Sequence, residues 1–219
     1  MIPIKDENPT QSIPFFTLLL IAVNVSVFIY QMSLGRGMEA FMLEMAAIPY
    51  EITHMKDTQI PAAVPLPLTL FTSLFLHGNL AHLGGNMLYL WIFGNNIEDA
   101  LGHLRFLLFY LLCGFIATMA HIMSNPDSPV PLVGASGAIA GILGAYLLLY
   151  PKAKVQTLVI LIFFIRIIRL PAAVLLTLWF ILQVVNSTGG GNIAWYAHIG
   201  GFAAGFLLVK PFLKKKRGK

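Results

Sequence analysis

The sequence predicts an all-α polytopic membrane protein built as a bundle of six transmembrane helices. Of its 219 residues 58% are hydrophobic and only 11% are charged, against about 25% charged in an ordinary soluble domain. The placing of the charges says more. No Asp, Glu, Lys or Arg lies between Glu7 and Arg36, between Asp57 and Glu98, between Arg105 and Asp127, between Asp127 and Lys152, or between Arg169 and Lys210. A membrane-crossing helix needs about 20 mostly apolar residues. Six spans follow, near 14–33, 78–97, 104–124, 134–150, 170–187 and 193–211.

The first span follows a lead that carries Lys5 but also Asp6 and Glu7, with no small-x-small cleavage site after it, so it reads as a retained helix. A loop over 33–76 comes next, and Pro61, Pro65 and Pro67 keep its later part out of the second span. The fifth and sixth spans are separated by the turn cluster Asn186-Ser187-Thr188-Gly189-Gly190-Gly191-Asn192. Residues 155–165 are eleven uncharged positions before Arg166, short for a crossing, and read as an interfacial segment. Counting them as a span gives the alternative of seven.

Six spans put both termini on one side. That side holds Lys5, Arg105, Lys152, Lys154, Arg166, Arg169, Lys210, Lys214, Lys215, Lys216, Arg217 and Lys219, and the other only Arg36 and Lys56. The bias predicts that both ends are cytoplasmic, and a compact chain lacking a presequence suggests a cell membrane. The net charge of +5 then calls for lipid headgroups and no nucleic acid. The expected organisation is a short cytoplasmic segment, 1–12, a membrane domain, 13–212, and a basic cytoplasmic tail, 213–219. Cys113 is the sole cysteine, which excludes an intrachain disulfide and a multi-cysteine metal site.

Polar residues inside hydrocarbon are costly and tend to mark function. Here they are His77, Asn79, His82 and Asn86 at the start of span two, Ser136 at the start of span four, and His198 near the start of span six. These spans all run from outside to inside. Ser136 lies five residues past Pro131 and His198 six past Asn192, so both sit roughly 8–9 Å below the outer mouth. His82 and Asn86, spaced i, i+4, share a helix face at similar depth. Ser136 and His198 supply a nucleophile and a base. His82, Asn86 and the N–H groups of a helix N-terminus supply oxyanion donors. No span carries a carboxylate, and Asp127, in the outer loop, is a weak candidate for a third member. His103 and His121 read as helix-end residues. Gly134, Gly137, Gly141 and Gly144, with Gly201 and Gly205, also fit close helix packing, so Gly134-Ala135-Ser136-Gly137 alone does not decide between packing and chemistry.

Taken together these pieces resemble the rhomboid intramembrane serine proteases. The resemblance rests on His77-Gly78-Asn79-Leu80-Ala81-His82-Leu83-Gly84-Gly85-Asn86-Met87, on Gly134-Ala135-Ser136-Gly137-Ala138-Ile139-Ala140-Gly141, and on Ala197-His198-Ile199-Gly200-Gly201-Phe202-Ala203-Ala204-Gly205, in that order. It implies a six-helix fold and cleavage of the transmembrane helices of other membrane proteins, without metal or cofactor. It implies Ser136 as nucleophile, His198 as base, and His82, Asn86 and Gly134 around the oxyanion and substrate. It also implies Trp179 and Phe180 on a gate helix, and Gly201 and Gly205 at the approach of span six to span four. Two departures stand out. The 33–76 loop lacks the Trp-Arg pair of many members, and position 140 is alanine where some carry tyrosine. Oligomeric state is not legible. A non-catalytic chaperone of the same fold, a transporter and a three-histidine metalloenzyme are the weaker alternatives.

Overall fold

The computed structural model describes residues 1–58, 60–161, 164–189 and 193–214. Gly190, Gly191 and Asn192 of the turn cluster and residues 215–219 of the basic tail lie outside the described residues.

The chain is mostly helical. Helix α1 (Phe15–Ser33) leads through two short helices, α2 (Met38–Met45) and α3 (Pro49–His54), to α4 (Leu66–Thr72). Then come α5 (Leu80–Tyr89), a π turn (Leu90–Gly94) and α6 (Asn95–Leu101), which form one continuous rod. Helices α7 (His103–Ser124), α8 (Ser136–Leu149), α9 (Ala172–Asn186) and α10 (Trp195–Phe212) complete the set. Helices α1 and α7 are long and apolar enough to cross a membrane by themselves, whereas α8 and α9 have 14 and 15 residues.

The all-α expectation fails at one place. Strand β1 (Ile2–Asp6) pairs antiparallel with β2 (Lys154–Leu161), which pairs antiparallel with β3 (Phe164–Pro171). The expected interfacial segment 155–165 is part of this hairpin, though Ile162 and Phe163 lie outside the described residues. Val155, Thr157, Val159, Ile160, Ile165, Ile167 and Ile168 are β-branched, which stiffens the side chain and favours strand over helix.

Helix α8 is the centre of the bundle, buried from Gly137 to Tyr146. It is apolar all round, as a fully enclosed helix must be. Its glycines set the packing. A Cβ added at Gly201 would overlap the Gly137 carbonyl, one at Gly205 the Gly141 carbonyl, and one at Gly144 the Phe202 carbonyl. The backbones of α8 and α10 therefore touch.

The buried stripe of α1 is Thr17, Leu20, Asn24, Phe28 and Gln31. Thr17 meets Glu98, whose carboxylate is fully buried. Glu98 accepts from the Phe16 and Thr17 N–H groups, both at 2.8 Å, and from the Thr17 hydroxyl at 2.7 Å. It thereby caps the N-terminus of α1 from another helix. His103 Nδ1 lies 2.6 Å from the same carboxylate. Nearby, Asp6 accepts from Tyr146 and Asn96, and burial pushes its carboxyl above the ordinary range despite those bonds. Gln11 N–H donates to Asp99, and Lys214 N–H to the Ala100 carbonyl, so both chain ends meet α6 at the end that also holds the sheet. Glu98→Ala strands the α1 cap donors and is expected to cost about 3 kcal/mol or more. Thermal unfolding in micelles reads this, and an unchanged midpoint would remove the cap from the account.

The 33–76 loop is docked at the opposite end. Ala47 and Leu132 exchange backbone hydrogen bonds, Tyr50 N–H donates to the Ser128 carbonyl, and the Thr53 hydroxyl donates to the Pro126 carbonyl. This backbone docking braces a loop that has no Trp-Arg pair.

Candidate active site

Ser136 opens α8, and His198 lies in the first turn of α10. The glycine seam holds these two helices in backbone contact, and their side chains meet at its open end. His198 Nε2 lies 2.8 Å from Ser136 Oγ. Both side chains are half-buried. They face a cavity of about 1000 Å³ whose wall also includes His82, Asn86 and Trp179.

Gly134 adopts φ +117°, which side-chain-bearing residues rarely tolerate. Its missing side chain has a second consequence: a Cβ there would lie 2.7 Å from His82 Nε2 and 3.6 Å from Asn86 Nδ2. The Gly134 N–H is engaged with the Ser73 carbonyl at 2.9 Å, so Gly134 contributes room for His82 and no free backbone donor.

His82 and Asn86 reach the cavity through two supports. The Asn79 side chain accepts from the His82 N–H at 2.8 Å and caps α5. Asn86 Nδ2 lies 2.9 Å from His77 Nε2, and His77 is fully buried. Gln31, at the far end of the α1 stripe, brackets His77: it accepts from the His77 N–H at 3.2 Å and donates to the His77 carbonyl at 3.3 Å. His77 thus supports Asn86 from behind, while Asn86 keeps a second N–H.

His198 is held by a residue outside the sequence expectations. Its Nδ1 lies 2.8 Å from Gln183 Oε1 on α9. The rings of Trp179 and Trp195 approach it at 5.8 and 6.2 Å. Ala140 is fully buried in the core. Asp127 does not join the site, because its carboxylate sits 3.6 Å from His54 on the exposed loop. His121 lies in the cavity wall with Asn125 and Ser128. Trp179 and Phe180 both face α10 and stack on Phe202 at 6.0 and 4.5 Å. Only Trp179 also lines the cavity.

The arrangement suits acyl transfer. A hydroxyl touches a base, a helix N-terminus lies beneath it, and two further donors face the same space. Among the described residues, no group of three or more His, Cys, Asp or Glu side chains is placed to hold a metal.

A sequence profile described as Rhomboid domain matches residues 67–215. Rhomboid protease GluP of Bacillus subtilis is 37% identical over 151 residues, 68% of this chain and 27% of the relative. RHOMBOID-like protein 1 of Arabidopsis thaliana is 35% identical over 145 residues, 66% of this chain and 34% of the relative. Rhomboid protein 1, mitochondrial, of Saccharomyces cerevisiae is 30% identical over 149 residues, 64% of this chain and 40% of the relative. The chain spans about a third of the length of these relatives.

Proposed function

The chain belongs to the rhomboid family, and on that premise we propose that it is an intramembrane serine endopeptidase. Its substrates are the transmembrane helices of other membrane proteins. The observation that carries this reading is the 2.8 Å contact of His198 Nε2 with Ser136 Oγ at the head of two apolar helices.

In this reading Ser136 Oγ attacks the scissile carbonyl while its proton passes to His198 Nε2. The carbonyl oxygen gains charge and is received by the Ser136 N–H, the His82 ring and the free Asn86 N–H. His198 then gives its proton to the leaving amine, which departs and leaves an acyl-enzyme. Water, deprotonated by His198, hydrolyses that ester and restores the hydroxyl. The chemistry draws only on side chains, backbone and water. A helical substrate must unwind first, because its amides are hydrogen-bonded along the helix, and helix-breaking residues near the cut lower that cost.

The proposed layout is six spans, made by α1, the α5–α6 rod, α7, α8, α9 and α10. Both termini face the cytoplasm of a cell membrane. The organisation is a cytoplasmic segment, 1–12, a membrane domain, 13–212, and a basic tail, 213–219. Two observations support it: both chain ends meet α6, and the cavity opens at the far end beside the docked loop. Helix α9, with Trp179 and Phe180, is the proposed gate through which a substrate helix reaches the cavity from lipid.

A fluorophosphonate, which reacts covalently with an activated serine, tests the site. The purified chain is expected to take up one label at Ser136, and Ser136→Ala none. Equal labelling of both would sink the reading, and a chaperone of the same fold would take up no label at all.

A further inference from the structure

His198 can accept the Ser136 proton only while its Nε2 is bare, so another group must keep the ring proton on Nδ1. In serine–histidine–carboxylate sites a buried carboxylate does this. We propose that Gln183 holds that position here, as the positioning residue that fixes the tautomer and direction of the His198 ring. The inference rests on the reading of Ser136 and His198 as the dyad.

The hydrogen bonds assign every atom. Gln183 Nε2 donates to the Trp179 carbonyl at 3.0 Å, one turn back on the same helix. A carbonyl oxygen only accepts, so the amide nitrogen must face it, and Oε1 is left pointing to the ring. An amide oxygen likewise only accepts. At 2.8 Å from it, Nδ1 must carry the proton. The lone pair then sits on Nε2, aimed at Ser136 Oγ. Turning the amide over would set Oε1 against the Trp179 carbonyl, two acceptors with no proton between them. Gln183 is 6% exposed in a largely apolar helix, where an unpartnered amide is disfavoured.

An amide suits this setting better than a carboxylate. It offers the acceptor without burying a charge in hydrocarbon. When the serine proton arrives on Nε2, the Nδ1 proton stays in place, and its bond to Oε1 becomes charge-assisted and stronger.

The acceptor also sits on a third helix. Ser136 is on α8 and His198 on α10, whereas Gln183 is on α9. That helix is clasped to α10 by the stacking of Trp179 and Phe180 on Phe202. Its other face, with Leu178, Ile181 and Leu182, is exposed. A shift of α9 by roughly 1 Å carries the pair out of hydrogen-bond reach. The base is therefore set only while α9 is seated.

The test uses the full chain in micelles, as wild type, Gln183→Leu and Gln183→Glu. Leucine keeps the volume without the acceptor, and glutamate keeps an acceptor. ¹⁵N shifts of the labelled His198 ring, assigned by difference from His198→Ala in mildly alkaline buffer, are expected to show a protonated Nδ1 and a bare Nε2 in wild type and in Gln183→Glu. The Leu variant is expected to show mixed tautomers. Reporter cleavage by the Leu variant is expected to lose about 100-fold in kcat with KM little changed, the low end of what a general base contributes. Glutamate is expected to restore most of it. Wild-type tautomer and kcat in Gln183→Leu would overturn the proposal, as would equal loss in the Leu and Glu variants. A locked tautomer in a wild type that neither cleaves nor labels would uphold the Gln183 contact and reject the protease reading instead.

Discussion

Gly205→Val is expected to leave no stably folded bundle. The Cβ that valine brings would overlap the Gly141 carbonyl and come within 2.6 Å of the Gly141 Cα. Core overpacking of flexible side chains costs typically about 1–3 kcal/mol. Here the obstacle is backbone on a fully enclosed helix, which cannot change rotamer, so the cost is expected at or above about 3 kcal/mol. The same change pushes apart the two helices that carry Ser136 and His198, so any folded remainder loses the dyad contact too. Gly84→Ala is the control, because a Cβ at Gly84 meets nothing within 4 Å. Thermal unfolding in micelles separates the two. An unchanged midpoint for Gly205→Val would mean that α8 and α10 are not in backbone contact.

His198→Ala is expected to lower the cleavage rate about 10⁴-fold or more, with Ser136→Ala doing the same and the double variant losing no more than either alone. In the proposed mechanism the two groups act on one proton, across a single 2.8 Å contact. Either alone is useless for attack, so their losses do not add. Binding is expected to persist in all three variants, because the His82 and Asn86 side of the cavity is untouched. Rates from single-turnover cleavage check this. Additive losses would mean that the residues serve separate steps.

The sequence made the helices legible through its gaps in charge, and the glycine spacing of α8 and α10 announced their close contact. Ser136, His198, His82 and Asn86 were legible because polar side chains are conspicuous in apolar stretches. The β hairpin is hidden because its length and charge suit an interfacial segment, and only its β-branched content signals strand. Its partner strand was beyond reach, since Ile2 pairs with Leu158 far along the chain. Gln183 is illegible in the sequence for a different reason. A glutamine in a largely apolar helix carries no motif, and its meaning comes only from the packing of α9 on α10. Gln31 and His77 are similar, since their roles lie behind the site and depend on the stripe of α1. Glu98 only bounds a charge-free interval in the sequence, yet it caps a helix from across the bundle.

Intramembrane cleavage is read with a reporter transmembrane protein reconstituted with the purified chain in liposomes. Wild type is expected to give a cleaved fragment, and Ser136→Ala none at equal protein and equal fold. The same fragment from Ser136→Ala would contradict proteolysis by Ser136.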